Sequence, residues 1–340
     1  METQQLSSRF KDFADRHYKG ESPLYEFLSQ KIAEDNQILE LCKVIKPWKP
    51  APDMLLGAVH YLLLKGSPHR LKYYYPSTSQ TPLPIRQSFP AFQEFCVIYK
   101  EVIEHLLKTR AVQTNEIGRC AYLYPSLCYI SEIARKPLAL IEIGTGSGIQ
   151  LLCDQFSYSY QTEETYGNTN SPLHISSEIR GNTFPKNLWK MPTVAERIGI
   201  DQSICNLENT EQKTWFEAFI WPEQKKRRQM LAQAASILHD EEVTLIQGDG
   251  IELLPDIART IPSNHTICIF HTHVANHLPL SMKQKLLKQV HNLGMERNIF
   301  HLFNNIRDQK LQLDYYVNGI LSHQTIAETD PHGLWFTWEL

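Results

Sequence analysis

The chain has 340 residues, a formal net charge of −3 and ordinary apolar (42%) and charged (21%) fractions, which fit one large globular domain or two. This balance gives no electrostatic footprint for nucleic acid, although it leaves room for a small basic patch. The N-terminus lacks the apolar segment of a signal peptide, and "MLLGAVHYLLL" is too short to span a bilayer. Seven scattered cysteines without a C-x-x-C pattern are typical of reduced core residues, so we expect a cytoplasmic protein without a membrane partner.

Helical spacing of apolar residues dominates residues 1–135. Ser22 followed by Pro23 predicts a helix start, with serine as the N-cap and proline in the first turn. The stretches "DMLLGAVHYLLL", "FPAFQEFCVIYKEVIEHLLK" and "NEIGRCAYLYPSLCYISEIA" predict further helices, and "STSQTPLPIRQSFP" predicts a polar connector. Because no alternating strand pattern competes, we predict a helical N-terminal cap domain.

Residues 136–340 alternate short apolar runs with helical patterns, which indicates βαβ units. The run 138–143 is apolar except for Glu142, as in a central parallel strand that is covered on both faces. Further strands are predicted in "ERIGIDQS", "VTLIQGDG", "HTICIF" and "RNIFHLFNN", and "LDYYVNGILSHQTIAE" with "GLWFTWEL" predicts a closing antiparallel pair. The predicted fold class is α/β, with a Rossmann-like, doubly wound, mostly parallel sheet and an antiparallel C-terminal hairpin.

Three glycines at alternate positions, Gly144, Gly146 and Gly148, follow the central strand. A strand, a glycine loop and a helix together form a nucleotide site, because glycines let the backbone approach a ligand and helix N-terminal amides face it. The pattern differs from the dinucleotide fingerprint, since the last glycine comes one residue early. The buried acid Glu142 is costly without a partner, which favours a ligand role over a solvated one. A tight strand-to-helix turn is the alternative.

The form E-x-G-x-G-x-G resembles the first motif of class I S-adenosylmethionine-dependent methyltransferases. "RIGIDQS" resembles their second motif, and "MLAQAASILHDEEVTLIQGDGIELLP" resembles their third. The resemblance covers residues 136–340 apart from about 156–194, and it implies S-adenosylmethionine as the cofactor. It places Glu142 near the methionine end, Asp201 on the ribose hydroxyls, and Asp249, preceded by Gly248, near the adenine.

One spacing departs from the pattern. The second acid usually follows the first glycine by about 20 residues, whereas Asp201 lies much further from Gly144. We predict a hairpin insertion at about 156–194 that accounts for the excess; otherwise Asp201 is misassigned. The order of the helical part and these motifs also resembles a family of uncharacterised bacterial proteins with a domain of unknown function.

"FHTHVANH" contains three histidines, His271, His273 and His277. Alternate histidines on one side of a strand can present a metal, but no Asp or Cys cluster is visible nearby to complete a site, and we predict none. In the resembled fold this strand end faces the transferred methyl group, so His271 and His273 are candidate catalytic residues. A histidine there could take a proton from an acceptor near neutral pH. Histidines on an exposed loop are the alternative.

These features together predict a methyltransferase that acts on a small molecule, which the sequence does not identify. Two alternatives stay open: a non-catalytic nucleotide-binding or interaction protein on the same fold, and a metal-dependent hydrolase built on the three histidines. Asn115, Glu116 and Arg119 share a predicted helix face, for which a solvated surface is the default interpretation, although they could close over the cofactor.

Overall fold

A computed structural model describes residues 1–113 and 115–340, which form two compact units. The units comprise Met1–Thr114 with Asn206–Gln229, and Asn115–Cys205 with Met230–Leu340. The chain changes unit at 114/115, 205/206 and 229/230, whereas the sequence predicted one boundary at 135/136. The first unit is helical and is called the helical unit below; the second contains the main sheet and is called the sheet unit.

The α-helices of the described chain are α1 (Thr3–Phe13), α2 (Pro23–Ile32), α3 (Asn36–Cys42), α4 (Ala51–Leu64), α5 (Ser88–Ile98), α6 (Lys100–Thr109), α7 (Cys120–Ala134), α8 (Thr210–Glu217), α9 (Lys225–Asp240), α10 (Gly250–Thr260) and α11 (Leu280–Glu296). The strands are β1 (Leu138–Ile143), β2 (Ser157–Ser159), β3 (Tyr166–Gly167), β4 (His174–Ser176), β5 (Glu178–Arg180), β6 (Val194–Asp201), β7 (Thr244–Gln247), β8 (Thr266–His271), β9 (Ile299–Phe303), β10 (Leu311–Val317), β11 (Ile320–Ala327) and β12 (Trp335–Thr337).

The helical unit has one apolar core, to which α8 contributes from a distant part of the chain. The Trp215 ring packs edge-on against Tyr61 of α4 at 5.3 Å between centroids, and its indole N–H donates to the carbonyl of Ala111 at 2.9 Å. These contacts explain why 206–229 belongs to this unit. The predicted cap at Ser22 is confirmed, because its side chain accepts a hydrogen bond from the Tyr25 amide.

One predicted helix is two in the structure. α5 and α6 are separated at Tyr99, whose backbone (φ −100°, ψ 18°) leaves the helical region. The apolar periodicity continues across this break, which is why the sequence pattern gave no sign of it.

The sheet unit contains a seven-stranded sheet in the order β11-β10-β9-β8-β1-β6-β7. Strand β1 is central and pairs in parallel with both β6 and β8, while β10 and β11 run antiparallel to their neighbours. Every residue of β1 is buried, as predicted for a strand covered on both faces. The expectation of a mostly parallel sheet with 138–143 at its centre is confirmed.

The antiparallel strand pair that closes the sheet is formed by other segments than predicted. Both β10 and β11 come from "LDYYVNGILSHQTIAE", because Asn318 and Gly319 adopt positive φ values (54° and 74°) and form a hairpin turn. "GLWFTWEL" instead provides β12, which pairs in parallel with β5 of the insertion in a separate two-stranded sheet. The insertion also contains the antiparallel pair β2–β3, with β4 added in parallel to β2.

A second difference follows the glycine loop. Residues Ile149–Gln155 form a 3₁₀-helix and not the predicted α-helix, with a break at Leu152. A 3₁₀ segment of this kind offers fewer aligned backbone dipoles than a regular helix. The seven cysteines are all buried and free, in agreement with their prediction as reduced core residues. Across the described residues, none of the helices has the length and apolar character needed to cross a bilayer.

Candidate functional site

The carboxyl ends of β1, β6 and β7 bring the predicted cofactor residues together. Asp201 ends β6, and its Oδ2 accepts a hydrogen bond from the Gly146 amide at 2.9 Å. Its Oδ1 accepts from the Ser203 amide at 2.9 Å, and the Gly248 amide donates to its carbonyl at 2.9 Å. Asp201 therefore lies on the glycine loop despite the long spacing in sequence, which the insertion accounts for.

All three loop glycines have left-handed backbones, with φ values of 76° at Gly144, 58° at Gly146 and 84° at Gly148. Conformations of this kind strain any other residue. A Cβ on Gly144 would lie 2.3 Å from a methyl carbon of Val274, so no side chain fits there. The positive φ values agree with the tight-turn interpretation. Glycines also leave the backbone without side chains, which close approach of a ligand requires.

Glu142 lies inside the sheet and is 2% exposed. The Thr145 hydroxyl donates to its Oε2 at 2.5 Å. Burial is the main cause that raises the pKa of Glu142 to about 8; Asp201 adds to the shift, and Thr145 and Arg119 oppose it. The carboxyl group is therefore mostly protonated in the folded protein at neutral pH, and its known partner is a residue of the loop itself.

Asp249 begins α10 as its N-cap. Its Oδ1 accepts hydrogen bonds from the amides of Ile251 (2.9 Å) and Glu252 (3.3 Å), and the residue is half-buried. Capping uses one carboxylate oxygen, so Oδ2 can accept a further donor.

The histidines separate into three environments. His271 is 1% exposed, and its Nε2 lies 3.2 Å from Nε2 of His301. Burial lowers the pKa of His271 to about 4. The His271 side chain is therefore buried at the end of β8, beside the neighbouring strand. His277 is exposed, and within the described residues no three His, Cys, Asp or Glu side chains are arranged to hold a metal.

His273 occupies the turn after β8 with a left-handed backbone, φ 61°. A non-glycine residue in this region costs of order 1 kcal/mol and is held by its surroundings. Here the His273 amide donates to Oδ1 of buried Asn304 at 2.7 Å. Burial, followed by the charges of Arg119 and His332, lowers the pKa of His273 to about 4, while Asp330 opposes the shift. Its Nε2 is buried without a partner in the described chain.

A polar network beside the glycine loop was missed by sequence reasoning. We call it the Arg119 network, and it consists of Glu116, Arg119, Gln150, Thr272 and His332. Arg119 Nη1 donates to Thr272 Oγ1 at 3.2 Å, and that hydroxyl donates to Gln150 Oε1 at 3.0 Å. Gln150 donates to the Glu116 carbonyl at 3.0 Å, and Glu116 Oε2 lies 2.9 Å from His332 Nδ1. The network joins the loop, the turn after β8 and the C-terminus.

Two glycines make this network possible. A Cβ on Gly118 would lie 2.1 Å from the carbonyl oxygen of His332, and a Cβ on Gly333 would lie 2.1 Å from the carbonyl oxygen of Gly118. The C-terminal turn therefore packs backbone to backbone on the segment before α7. As a result Arg119 Nε donates to the Pro331 carbonyl at 2.8 Å.

The solvated-face interpretation of the 115–119 segment is corrected by these contacts. Glu116 is 6% exposed. The side-chain nitrogen Nδ2 of Asn115 donates to the Thr145 carbonyl at 2.6 Å and to Ser147 Oγ at 3.3 Å, so this side chain lies over the glycine loop. A sequence signal did exist: Gly118 lies within a helical pattern, where glycine costs about 1 kcal/mol relative to alanine and so weakens the case for an ordinary solvated helix.

Comparison with known proteins gives one family. A model described as an uncharacterized protein conserved in bacteria (DUF2332) matches residues 7–338. No curated protein and no solved structure matches the chain. A match over nearly the whole chain covers both units and every residue of the candidate site, in agreement with the predicted resemblance to an uncharacterised bacterial family. The chain therefore belongs to the DUF2332 family of proteins conserved in bacteria.

Proposed function

We propose that the sheet unit binds S-adenosylmethionine and transfers its methyl group to a small molecule. The observation that carries this proposal is the position of Asp201, whose carboxylate bonds the Gly146 amide at the carboxyl end of the strand next to β1. The strand order supports a Rossmann-like, doubly wound arrangement, in which the chain reverses direction across the sheet between β1 and β8. Open α/β sheets bind ligands at such a switch point.

The residues present fit the nucleoside part of this cofactor. Asp201 and Asp249 are half-buried acceptors at neighbouring strand ends, and each can accept a ligand hydroxyl or amine beyond its backbone partners. The positive φ of the loop glycines leaves backbone without side chains between them. Glu142 fits less well, since it is buried, mostly protonated and bonded to Thr145.

When bound, this cofactor supplies an already activated methyl group. The chain would orient the two reactants and exclude water from them. His273, at the turn after β8, is mostly unprotonated at neutral pH because its pKa is about 4. A ring nitrogen can therefore accept a hydrogen bond from the molecule that receives the methyl group. A pKa this low makes it a weak base, and the proposed role of His273 is accordingly to position the acceptor.

Asp201→Asn is expected to weaken binding of S-adenosylhomocysteine by about 1–3 kcal/mol, because the charged acceptor for ligand hydroxyls is lost. The asparagine keeps the size of the side chain and an oxygen for one of the two backbone amides that Asp201 accepts. Titration calorimetry measures the effect, and the wild-type protein is expected to bind S-adenosylmethionine or S-adenosylhomocysteine more tightly than NAD.

Asp256→Asn is the matched control, because this acid lies on the solvent face of α10 with its side chain 79% exposed. The control variant is expected to bind like wild type. Absence of binding of both compounds by wild-type protein would contradict the proposal, and tighter binding of NAD would assign the loop to a dinucleotide.

A non-catalytic cofactor-binding protein on the same fold is the second candidate. The low pKa values of His271 and His273, both about 4, favour it, since neither side chain is a competent base near neutral pH. A product search by mass spectrometry with isotopically labelled S-adenosylmethionine separates the candidates, because only the enzyme leaves label on an acceptor.

A further inference from the structure

We propose that Arg119 and Asp330 form a recognition site for the α-amino acid end of a ligand, next to the glycine loop. The proposal rests on the proposed function for the location of the ligand, and on the charges of this chain for its chemistry. The resemblance to methyltransferases gives Glu142 the task of meeting the methionine end. Glu142 is buried and bonded to Thr145, so we assign the charges to residues outside β1.

Arg119 is available for a carboxylate. Its Nε donates to the Pro331 carbonyl, and Nη1 donates to Thr272, so the guanidinium is held on two sides. Its Nη2 makes no hydrogen bond to a described residue, and no described carboxylate forms an ion pair with it. A fixed guanidinium with an open edge matches the two oxygens of a carboxylate.

Asp330 is available for an ammonium group. Its Oδ1 accepts the amides of His332 and Leu334, at 2.9 and 3.1 Å, which fixes the carboxylate on the C-terminal turn. Oδ2 has no hydrogen-bond partner in the described chain. Asp330 directly precedes Pro331, whose carbonyl accepts a hydrogen bond from Arg119. The side chains of Asp330 and Arg119 nevertheless do not form an ion pair. The nearby acid Glu116 is bonded to His332, which leaves Asp330 as the acid of the site.

The Arg119 side of the proposed site borders the glycine loop. Arg119 reaches the loop through Thr272 and Gln150, and Gln150 follows Gly148 by two positions. Val274 lies against Gly144, so the turn after β8 borders the first glycine. This is the space between the ends of β1 and β8, the switch point at which α/β sheets bind ligands. One positive and one negative charge held apart there match a zwitterion.

Two sources of this group are chemically equivalent: the amino acid end of the cofactor, and an amino acid acceptor. Calorimetry with S-adenosylhomocysteine and with 5′-methylthioadenosine, which lacks the amino acid end, separates them. If the cofactor is the source, Arg119→Gln weakens binding of S-adenosylhomocysteine roughly ten- to a hundredfold and changes binding of 5′-methylthioadenosine less than about twofold. Asp330→Asn has the same selectivity, and Arg119→Lys retains part of the affinity.

If an acceptor is the source, wild-type protein saturated with S-adenosylhomocysteine still binds L-methionine, used as a simple amino acid, and Arg119→Gln abolishes that binding in saturation-transfer NMR. Arg259→Gln, which removes an exposed arginine of α10, is expected to change neither result. The proposal would be overturned if Arg119→Gln lowered the affinity for both nucleosides equally, or if the binding of none of the probes changed in this variant. Failure of wild-type protein to bind either nucleoside contradicts the proposed function instead, and L-methionine binding without nucleoside, compared between wild type and Arg119→Gln, then decides the role of Arg119.

Discussion

Glu142→Gln is expected to stabilise the protein at pH 7 by about 3 kcal/mol. Burial, the largest cause, raises the pKa of Glu142 to about 8, whereas the unfolded chain has a value near 4.3. Between these values the folded protein holds a proton that the unfolded chain releases, so the stability from this group is complete below about pH 4 and is lost as the pH rises through 8. Glutamine resembles the protonated acid and does not titrate.

The test is urea unfolding of both proteins from pH 4 to pH 9. The free energies of unfolding of wild type and Glu142→Gln should converge at the acid end and separate as the pH rises. Glu163→Gln, at an exposed position in the insertion, serves as the matched control and should follow wild type. A variant less stable than wild type at every pH would mean that Glu142 is ionised and bonded in the native protein, contrary to its buried position.

Gly333→Ala is expected to destabilise the sheet unit by about 3 kcal/mol. The residue has φ 74°, where alanine costs about 1 kcal/mol, and its Cβ would meet the Gly118 carbonyl oxygen at 2.1 Å. Backbone cannot move aside as a side chain can, so overpacking adds a further 1–3 kcal/mol or so. The expected structural result is release of the C-terminal turn, with loss of the contact between His332 and Glu116.

Gly319→Ala provides an unusually close control, because Gly319 also has φ 74° but no atom lies within 4 Å of its added Cβ. Its expected cost is about 1 kcal/mol, from the backbone alone. The difference between the two variants in denaturant unfolding therefore measures the packing of the turn. Equal costs would show that the turn does not rest on Gly118, and amide exchange at His332 and Leu334 would then be unchanged.

Local patterns predicted much of the sheet unit. The limits of β1 follow from an uninterrupted apolar run, and Asp201 and Asp249 were placed by the strands that precede them. These features are determined by residues that are close in sequence, and hydrophobic periodicity describes only such local patterns. The predicted insertion was also needed, since it accounts for the long spacing in sequence between the loop and Asp201, which the pairing of β6 with β1 brings together.

The Arg119 network could not be predicted in this way. Glu116 meets His332 across 216 positions, and Arg119 meets Pro331 across 212. A charged residue buried by partners so distant has the same local pattern as one on a solvated face. The burial of His271 could not be predicted for a related reason, because its partner His301 belongs to the neighbouring strand β9.

The pairing of β5 with β12 has a consequence for the order of folding during translation. β5 ends at Arg180, whereas its partner β12 begins only at Trp335, directly after the turn that carries Asp330 and His332. The strands β1, β6, β7, β8 and β9 can therefore pair while β5 still lacks its partner. The glycine loop can thus form before this turn packs against Gly118.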